Sequence, residues 1–220
     1  MVNIKNALNF DFYKGLEDAE FWAINRCFKA QILEFKKNQI IVESGDELVN
    51  LFLILKGEAE EKTFTNKNEN LISTLKEGDI FGLEDGFNKQ GFYLSNLIAK
   101  TNCTVISLNA KRVITPCVNN CLRHQKVQKN ILSILSNKLI LAKQKFLILS
   151  KRTIKDKLLE YLKLQYEKDK IKYFDIPLSR QELADYLLVD RSALSIELSR
   201  LKQKGVLDYN KNHFHLKKKI

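Results

Sequence analysis

No run of about 18 or more apolar residues occurs in this chain, so no membrane-spanning helix is expected. The opening MVNIKNALNF lacks the long apolar core of a secretory signal, and a cytoplasmic location is expected. Cysteine is scarce, at Cys27, Cys103, Cys117 and Cys121. In a chain kept in a reducing compartment these are expected to be free thiols. Histidine is scarcer, at His124, His213 and His215. No pairing of a nucleophile with a base is visible, and an enzyme is not expected.

Charge of one sign is missing from part of the chain. Residues 1–110 hold 12 Lys and Arg against 16 Asp and Glu, a net −4. Residues 111–220 hold 25 against 10, a net +15. An acidic or neutral regulatory half joined to a half that meets a polyanion fits this split. The apolar fraction of 45% over 220 residues suffices to bury a core and allows two domains.

Residues 1 to about 30 read as helical, broken once at Gly15. From Gln31 short apolar runs alternate with turn signals at Gly45, Gly57, Gly78 and Gly82 and at NKNEN, Asn66 to Asn70. That punctuation predicts an all-β roll or barrel ending with the run Thr104 to Leu108. Between Val118 and Leu149 there is neither Gly nor Pro. Ile131, Leu135, Leu139, Ala142, Phe146 and Leu149 recur there at three- and four-residue steps, which predicts one long helix. An apolar stripe of that length needs a matching surface; a second copy of the helix is the simplest, and packing on its own roll is the alternative. A further helix is expected from about Arg152 to Tyr166, then an extended run Tyr173 to Ile176.

The stretch LSRQELADYLLVDRSALSIELSRL, Leu178 to Leu201, carries two helix starts. Ser179 and Glu182 form a capping box, and Asp190 is a second N-cap whose carboxylate suits the helix dipole. Leu183, Tyr186 and Leu187 give the first helix an apolar face, and Leu188 and Val189 form the break. The second helix is expected from Arg191 to about Lys204, with Gly205 just past its end. Leu194, Leu198 and Leu201 fall on its core stripe, and Arg191, Ser192, Ser195, Ile196 and Ser199 fall opposite. Small hydroxyl residues allow close approach, and an arginine in the first turn can reach a base edge. Two such helices read as a helix-turn-helix, and GVLDYNKNHFHL as a hairpin wing turning at Asn210 to Asn212.

The segment IPLSRQELADYLLVDRSALSIELSRLKQKGVLDYNKNHFHL resembles the DNA-binding module of the CRP/FNR transcription regulators. SGDELVNLFLILKGEAE and LKEGDIFG resemble the glycine-marked turns of that family's roll. The likeness covers nearly the whole chain and implies an α+β fold. Residues 1–116 would form a sensory β-roll of the jelly-roll type with N-terminal helices. Residues 117–150 would be a dimerisation helix, and residues 151–220 a winged helix-turn-helix. It further implies a homodimer on an inverted-repeat site in double-stranded DNA, with recognition helices about 34–36 Å apart, and it allows contact with RNA polymerase. By position Arg191, Ser192 and Ser195 match base-reading residues. Ser179 and Arg180 match phosphate contacts, and Gln181, Ile196 and Ser199 complete the face expected on DNA. A salt bridge to Glu182 or Asp185 is the alternative for Arg180. Ile196 stands where the best-known members carry arginine, and Ser192 where they carry glutamate. An isoleucine touches only apolar groups such as a thymine methyl, so the operator is expected to depart from the TGTGA half-site.

In cyclic-AMP-binding members a glutamate follows the roll's last glycine, and an Arg-Ser pair about eleven residues on takes the phosphate. Here Leu83 follows Gly82, Tyr93-Leu94 occupies the pair, and Glu84 and Ser95 lie one residue off. The effector pocket is expected at Phe81, Gly82, Leu83, Glu84, Tyr93 and Ser95. Without an arginine opposite the phosphate, a cyclic nucleotide is not the expected ligand. The family's N-terminal iron–sulfur cysteine cluster is also absent, since only Cys27 precedes the roll. Cys103, at an alternating position of the last strand, is expected to be a packing thiol. Cys117, Cys121 and His124 are spaced four then three, on one face near the start of the long helix. Such a face could hold haem, a metal or a redox thiol pair. The plainer expectation is no metal, with two packing thiols and a surface histidine, since three ligands seldom close a site. His213 and His215 are expected to be exposed or near phosphate.

A second reading is a cupin-like small-molecule-binding or enzymatic roll whose C-terminal domain makes partner contacts. Cupin metal chemistry needs clustered histidine and carboxylate ligands in the roll, and all three histidines lie outside it.

Overall fold

A computed structural model describes residues 4–65, 68–87, 90–115, 117 and 121–217. The chain divides into two compact units, Met1–Asn137 and Lys138–Ile220.

The first unit opens with two 3-10 turns, Ile4–Asn9 and Asp11–Tyr13, and then α1 (Asp18–Cys27). Gly15 takes a φ of 79° between them, the break expected there. Two antiparallel four-stranded sheets follow. One joins β1 (Gln31–Phe35), β8 (Cys103–Asn109), β3 (Asn50–Lys56) and β6 (Ile80–Phe81) in that order. The other joins β2 (Ile40–Val42), β7 (Asn96–Ala99), β4 (Ala59–Thr65) and β5 (Asn68–Leu75). Short helices α2 (Leu83–Phe87) and α3 (Ala110–Ile114) follow β6 and β8.

Strand β3 explains how the unit holds together. Its central residues LFLIL are all buried, because both faces of the strand are covered. Leu51, Leu53 and Leu55 point to a core shared with Phe12, Tyr13, Phe21 and Phe28 of the N-terminal segment. Phe52 and Ile54 point to the core inside the roll, with Val42, Leu97, Cys103 and Val105. Strand β8 splits likewise, Ile106 and Leu108 to the first core, Cys103 and Val105 to the second. Cys103 is therefore the packing thiol that the sequence suggests, and burial pushes its pKa up to about 11.

The long helix α4 runs Leu122–Leu149, with Val127 and Ile131 buried in the first core. It starts later than expected. Its first hydrogen bonds close on the Cys121 carbonyl, from the His124 and Gln125 amides. Freedom from Gly and Pro permits a helix but does not place its start, and residues 118–120 lie outside the described ones. Leu139 and Phe146, two members of the expected stripe, are exposed by 56% and 72%.

In the second unit α5 (Ile154–Asp169) also differs from the expected bounds. The Thr153 hydroxyl accepts from the Asp156 amide and fixes the start, and Lys170, in the left-handed conformation, closes the end. Then come β9 (Tyr173–Asp175), α6 (Arg180–Leu187), α7 (Arg191–Gln203), β10 (Leu207–Asn210) and β11 (His213–Leu216). The three strands form one antiparallel sheet in the order β10-β11-β9. Leu158, Leu162, Leu183, Leu187, Leu194, Leu198 and Leu201 meet in its core.

Candidate functional site

Ser179 and Asp190 set the geometry of α6 and α7. The Ser179 hydroxyl accepts from the Glu182 amide at 3.3 Å, and the Glu182 carboxylate accepts from the Ser179 amide at 2.7 Å. Asp190 accepts from the Ala193 amide at 2.9 Å and from the Ser192 hydroxyl. Those bonds favour the charged form and hold its carboxyl below the usual range, the Ser192 bond foremost. Between the helices Leu188 sits in the left-handed region at φ 52°, with its side chain largely exposed. This residue turns the chain sharply enough for the Val189 amide to reach the Ala184 carbonyl at 3.0 Å. After α7, Gly205 takes φ 65° and the chain enters β10.

The two faces of α7 separate cleanly. Leu194, Leu198 and Leu201 are buried, while Arg191, Ser192, Ile196 and Ser199 are exposed and Ser195 is half-buried. The Ser195 and Ser199 hydroxyls donate to the carbonyls one turn back, Arg191 and Ser195, each at 3.0 Å. The Ser199 hydroxyl also lies 3.5 Å from the Tyr209 hydroxyl. The Arg191 guanidinium makes no hydrogen bond or ion pair among the described residues. The sequence leaves open a salt bridge for Arg180, and the structure places it elsewhere. Its Nη2 donates to the Lys211 carbonyl at 3.2 Å, and its guanidinium lies 5.1 Å over the Tyr209 ring and 5.9 Å over Phe214. Asp185 instead accepts from Gln181 Nε2 at 2.8 Å. Arg180 thus ties the start of α6 to the β10–β11 hairpin.

The hairpin turns at Lys211, φ 52°, as the Asn210 to Asn212 signal suggests. Asp208 accepts from Lys202 at 2.6 Å and pairs with Lys217 at 3.4 Å, which pulls its carboxyl down to about 2. His213 pairs with Asp175, and His215 stacks on Tyr173 at 3.9 Å. These partners are invisible in the sequence because they depend on the β9–β11 register.

In the roll, Phe81 and Tyr93 of the expected effector pocket share the inner core, while Leu83 belongs to the other core. Phe81, Gly82, Leu83, Tyr93 and Ser95 are buried, and Glu84 is exposed. The Tyr93 ring stacks on Phe81 at 5.8 Å, and its hydroxyl donates to the Asn50 carbonyl at 2.6 Å. Burial raises its pKa to about 12. A Cβ on Gly82, whose φ is 85°, would stand 3.3 Å from that ring, so glycine lets the tyrosine come close. The Ser95 hydroxyl donates to Glu61 Oε1 at 2.8 Å, and Ser73 donates to Glu61 Oε2 at 2.8 Å. Glu61 escapes sequence reasoning, since 34 residues separate it from Ser95.

The cysteine and histidine group also differs from the expected helix face. Cys117 and Cys121 precede α4, and His124, expected at the surface, is only 3% exposed.

A two-sheet roll, a long helix and a winged helix-turn-helix define a class of sensory DNA-binding regulators. Two family models match the chain, a cyclic nucleotide-binding domain over residues 32–118 and a Crp-like helix-turn-helix domain over residues 156–219. The chain belongs to the CRP/FNR family of transcription regulators, which are not enzymes. A CooA variant from Carboxydothermus hydrogenoformans is similar, with a TM-score of 0.64 and 18% identity, over 98% of this chain and 92% of that one. The c-di-GMP responsive global regulator CLP of Xanthomonas campestris aligns with a TM-score of 0.62 and 15% identity, over 92% and 100%. The catabolite activator protein of Thermus thermophilus gives 0.53 and 19%, over 94% and 93%. A search of curated proteins found no match. No helix among the described residues is long and apolar enough to cross a membrane.

Proposed function

We propose that the chain is a homodimeric, sequence-specific DNA-binding regulator whose roll answers to something other than a cyclic nucleotide. The observation that carries this reading is the outer face of α7, where Arg191, Ser192, Ile196 and Ser199 are exposed above a fully buried leucine stripe. Arg191 and the serines would read base edges of an inverted repeat, and Ile196 would pack on a thymine methyl. Ser179, Arg180 and Gln181 at the start of α6 would sit at phosphates. Residues 151–220 would form the reader and residues 117–150 the dimer helix, through the exposed Leu139 and Phe146. RNA polymerase would be a partner wherever the bound site lies beside a promoter.

Residues 1–116 would be the sensor. Tyr93 takes the sequence place of the phosphate-binding arginine, and Ser95 donates to the Glu61 carboxylate, which supports a different cue, with haem and redox thiols as alternatives. A gel shift on the DNA upstream of the protein's own gene tests the reading. Selective binding that weakens steeply with salt is expected, and binding indifferent to sequence would refute it. Calorimetry with cyclic AMP and cyclic GMP should give no heat, and low-micromolar binding would refute the pocket assignment.

A further inference from the structure

The connection between α3 and α4 holds a group that neither the reading face nor the pocket uses. The Cys117 and Cys121 sulfurs and one ring nitrogen of His124 lie within 4.8 Å of one another. Both cysteines are half-buried thiols. The His124 ring is buried edge-on against Phe28, with centroids 5.1 Å apart. Its Nε2 lies 3.4 Å from the Val113 carbonyl. A carbonyl only accepts, so this contact favours the tautomer protonated at Nε2. Nδ1 then keeps its lone pair, and it is buried with no hydrogen-bond partner among the described residues. Folded proteins rarely leave such an acceptor unmet, and a bound cation would meet it.

We infer that Cys117, Cys121 and His124 bind one zinc ion per chain. Two sulfurs and a bare imidazole nitrogen are the ligand set of a thiophilic ion. The Val113 carbonyl would play the outer partner that orients a ligating imidazole. Ligand atoms around a tetrahedral zinc stand about 3.5–3.8 Å apart, given Zn–S near 2.3 Å and Zn–N near 2.0–2.1 Å. The present separation therefore needs only a small closure. Cys117 and Cys121 lie outside the helix and can supply it by side-chain rotation. Each thiol gives its proton to solvent as its sulfur takes the ion, so two protons leave and the assembled site is neutral. Three protein ligands leave a fourth position open to water or to an incoming ligand. The inference does not depend on the chain reading DNA, and none of its readouts involves DNA.

The full-length chain, purified reduced and metal-free, should take up one equivalent of zinc against a chromophoric chelator. Cobalt(II) in its place should give a sulfur-to-cobalt charge-transfer band and the strong visible bands of a four-coordinate ion. Zinc should raise the melting temperature, since the ion binds the folded chain. C117S and C121S, changed at half-buried positions, should each weaken binding tenfold or more and abolish that rise. H124A should do the same, while C27S should keep the one-to-one stoichiometry. Cobalt bands without sulfur charge transfer, or zinc uptake unchanged in C117S and C121S, would overturn the inference. Uptake of copper(I) but not zinc would overturn the choice of ion.

Discussion

In the roll, Tyr93 gives its hydroxyl to Asn50, and Ser95 and Ser73 give theirs to Glu61. On α7, the Arg191 guanidinium makes no hydrogen bond or ion pair among the described residues, and the Ser195 and Ser199 hydroxyls donate within their own helix, Ser199 also lying 3.5 Å from the Tyr209 hydroxyl. One region has closed its polar groups on one another and the other presents them. A ligand entering the first must replace bonds already made, whereas a ligand meeting the second adds bonds. The two regions therefore differ in what a ligand would have to displace.

Tyr93 is where this contrast breaks most visibly. Y93A is expected to cost about 3–5 kcal/mol, because it empties a buried aromatic site and strands the polar groups of Asn50. Urea denaturation measures this, and a loss below about 1 kcal/mol would mean the ring does not fill the pocket. R191A should leave stability within about 0.5 kcal/mol yet lower affinity for the operator by about 1–3 kcal/mol, roughly ten- to a hundredfold in Kd. Equal losses on specific and random DNA would make Arg191 a phosphate contact instead. S179A removes the cap of α6 and is expected to cost about 1 kcal/mol in denaturation, with α7's own outer face unaltered. The smallest effect is a matter of pH. The Asp190 carboxyl titrates lower folded than unfolded, so its contribution is complete above the ordinary carboxylate range and fades as pH falls through the folded value. In D190N that part of the acid limb of stability should be absent, and an unchanged limb would show that the Ser192 and Ala193 bonds do not matter.

What the sequence made legible was local. The capping box at Ser179, the cap at Asp190, the leucine stripe of α7 and the turn before His213 all rest on partners within a few residues. The order of roll, long helix and winged module was legible for the same reason, through periodicity and turns. What stayed hidden depends on distant strands and loops meeting. Glu61 reaches Ser95 only once β7 has paired with β4, and Arg180 finds Tyr209 only once the hairpin folds back. Helical spacing alone points His124 outward, because it does not reveal that Phe28 covers the ring. Composition likewise permits helix upstream of α4, while among the described residues the helical hydrogen bonds begin at Cys121.

Strand β3 has a consequence for how the first unit comes apart. Leu51, Leu53 and Leu55 belong to one core and Phe52 and Ile54 to the other, so neither can be lost without exposing the far side of the same five residues. The roll and the N-terminal segment should then melt as one cooperative block. The amides of Phe52 to Leu55 should exchange with deuterium only when that block opens in full, making this short strand the slowest clock in its half of the chain.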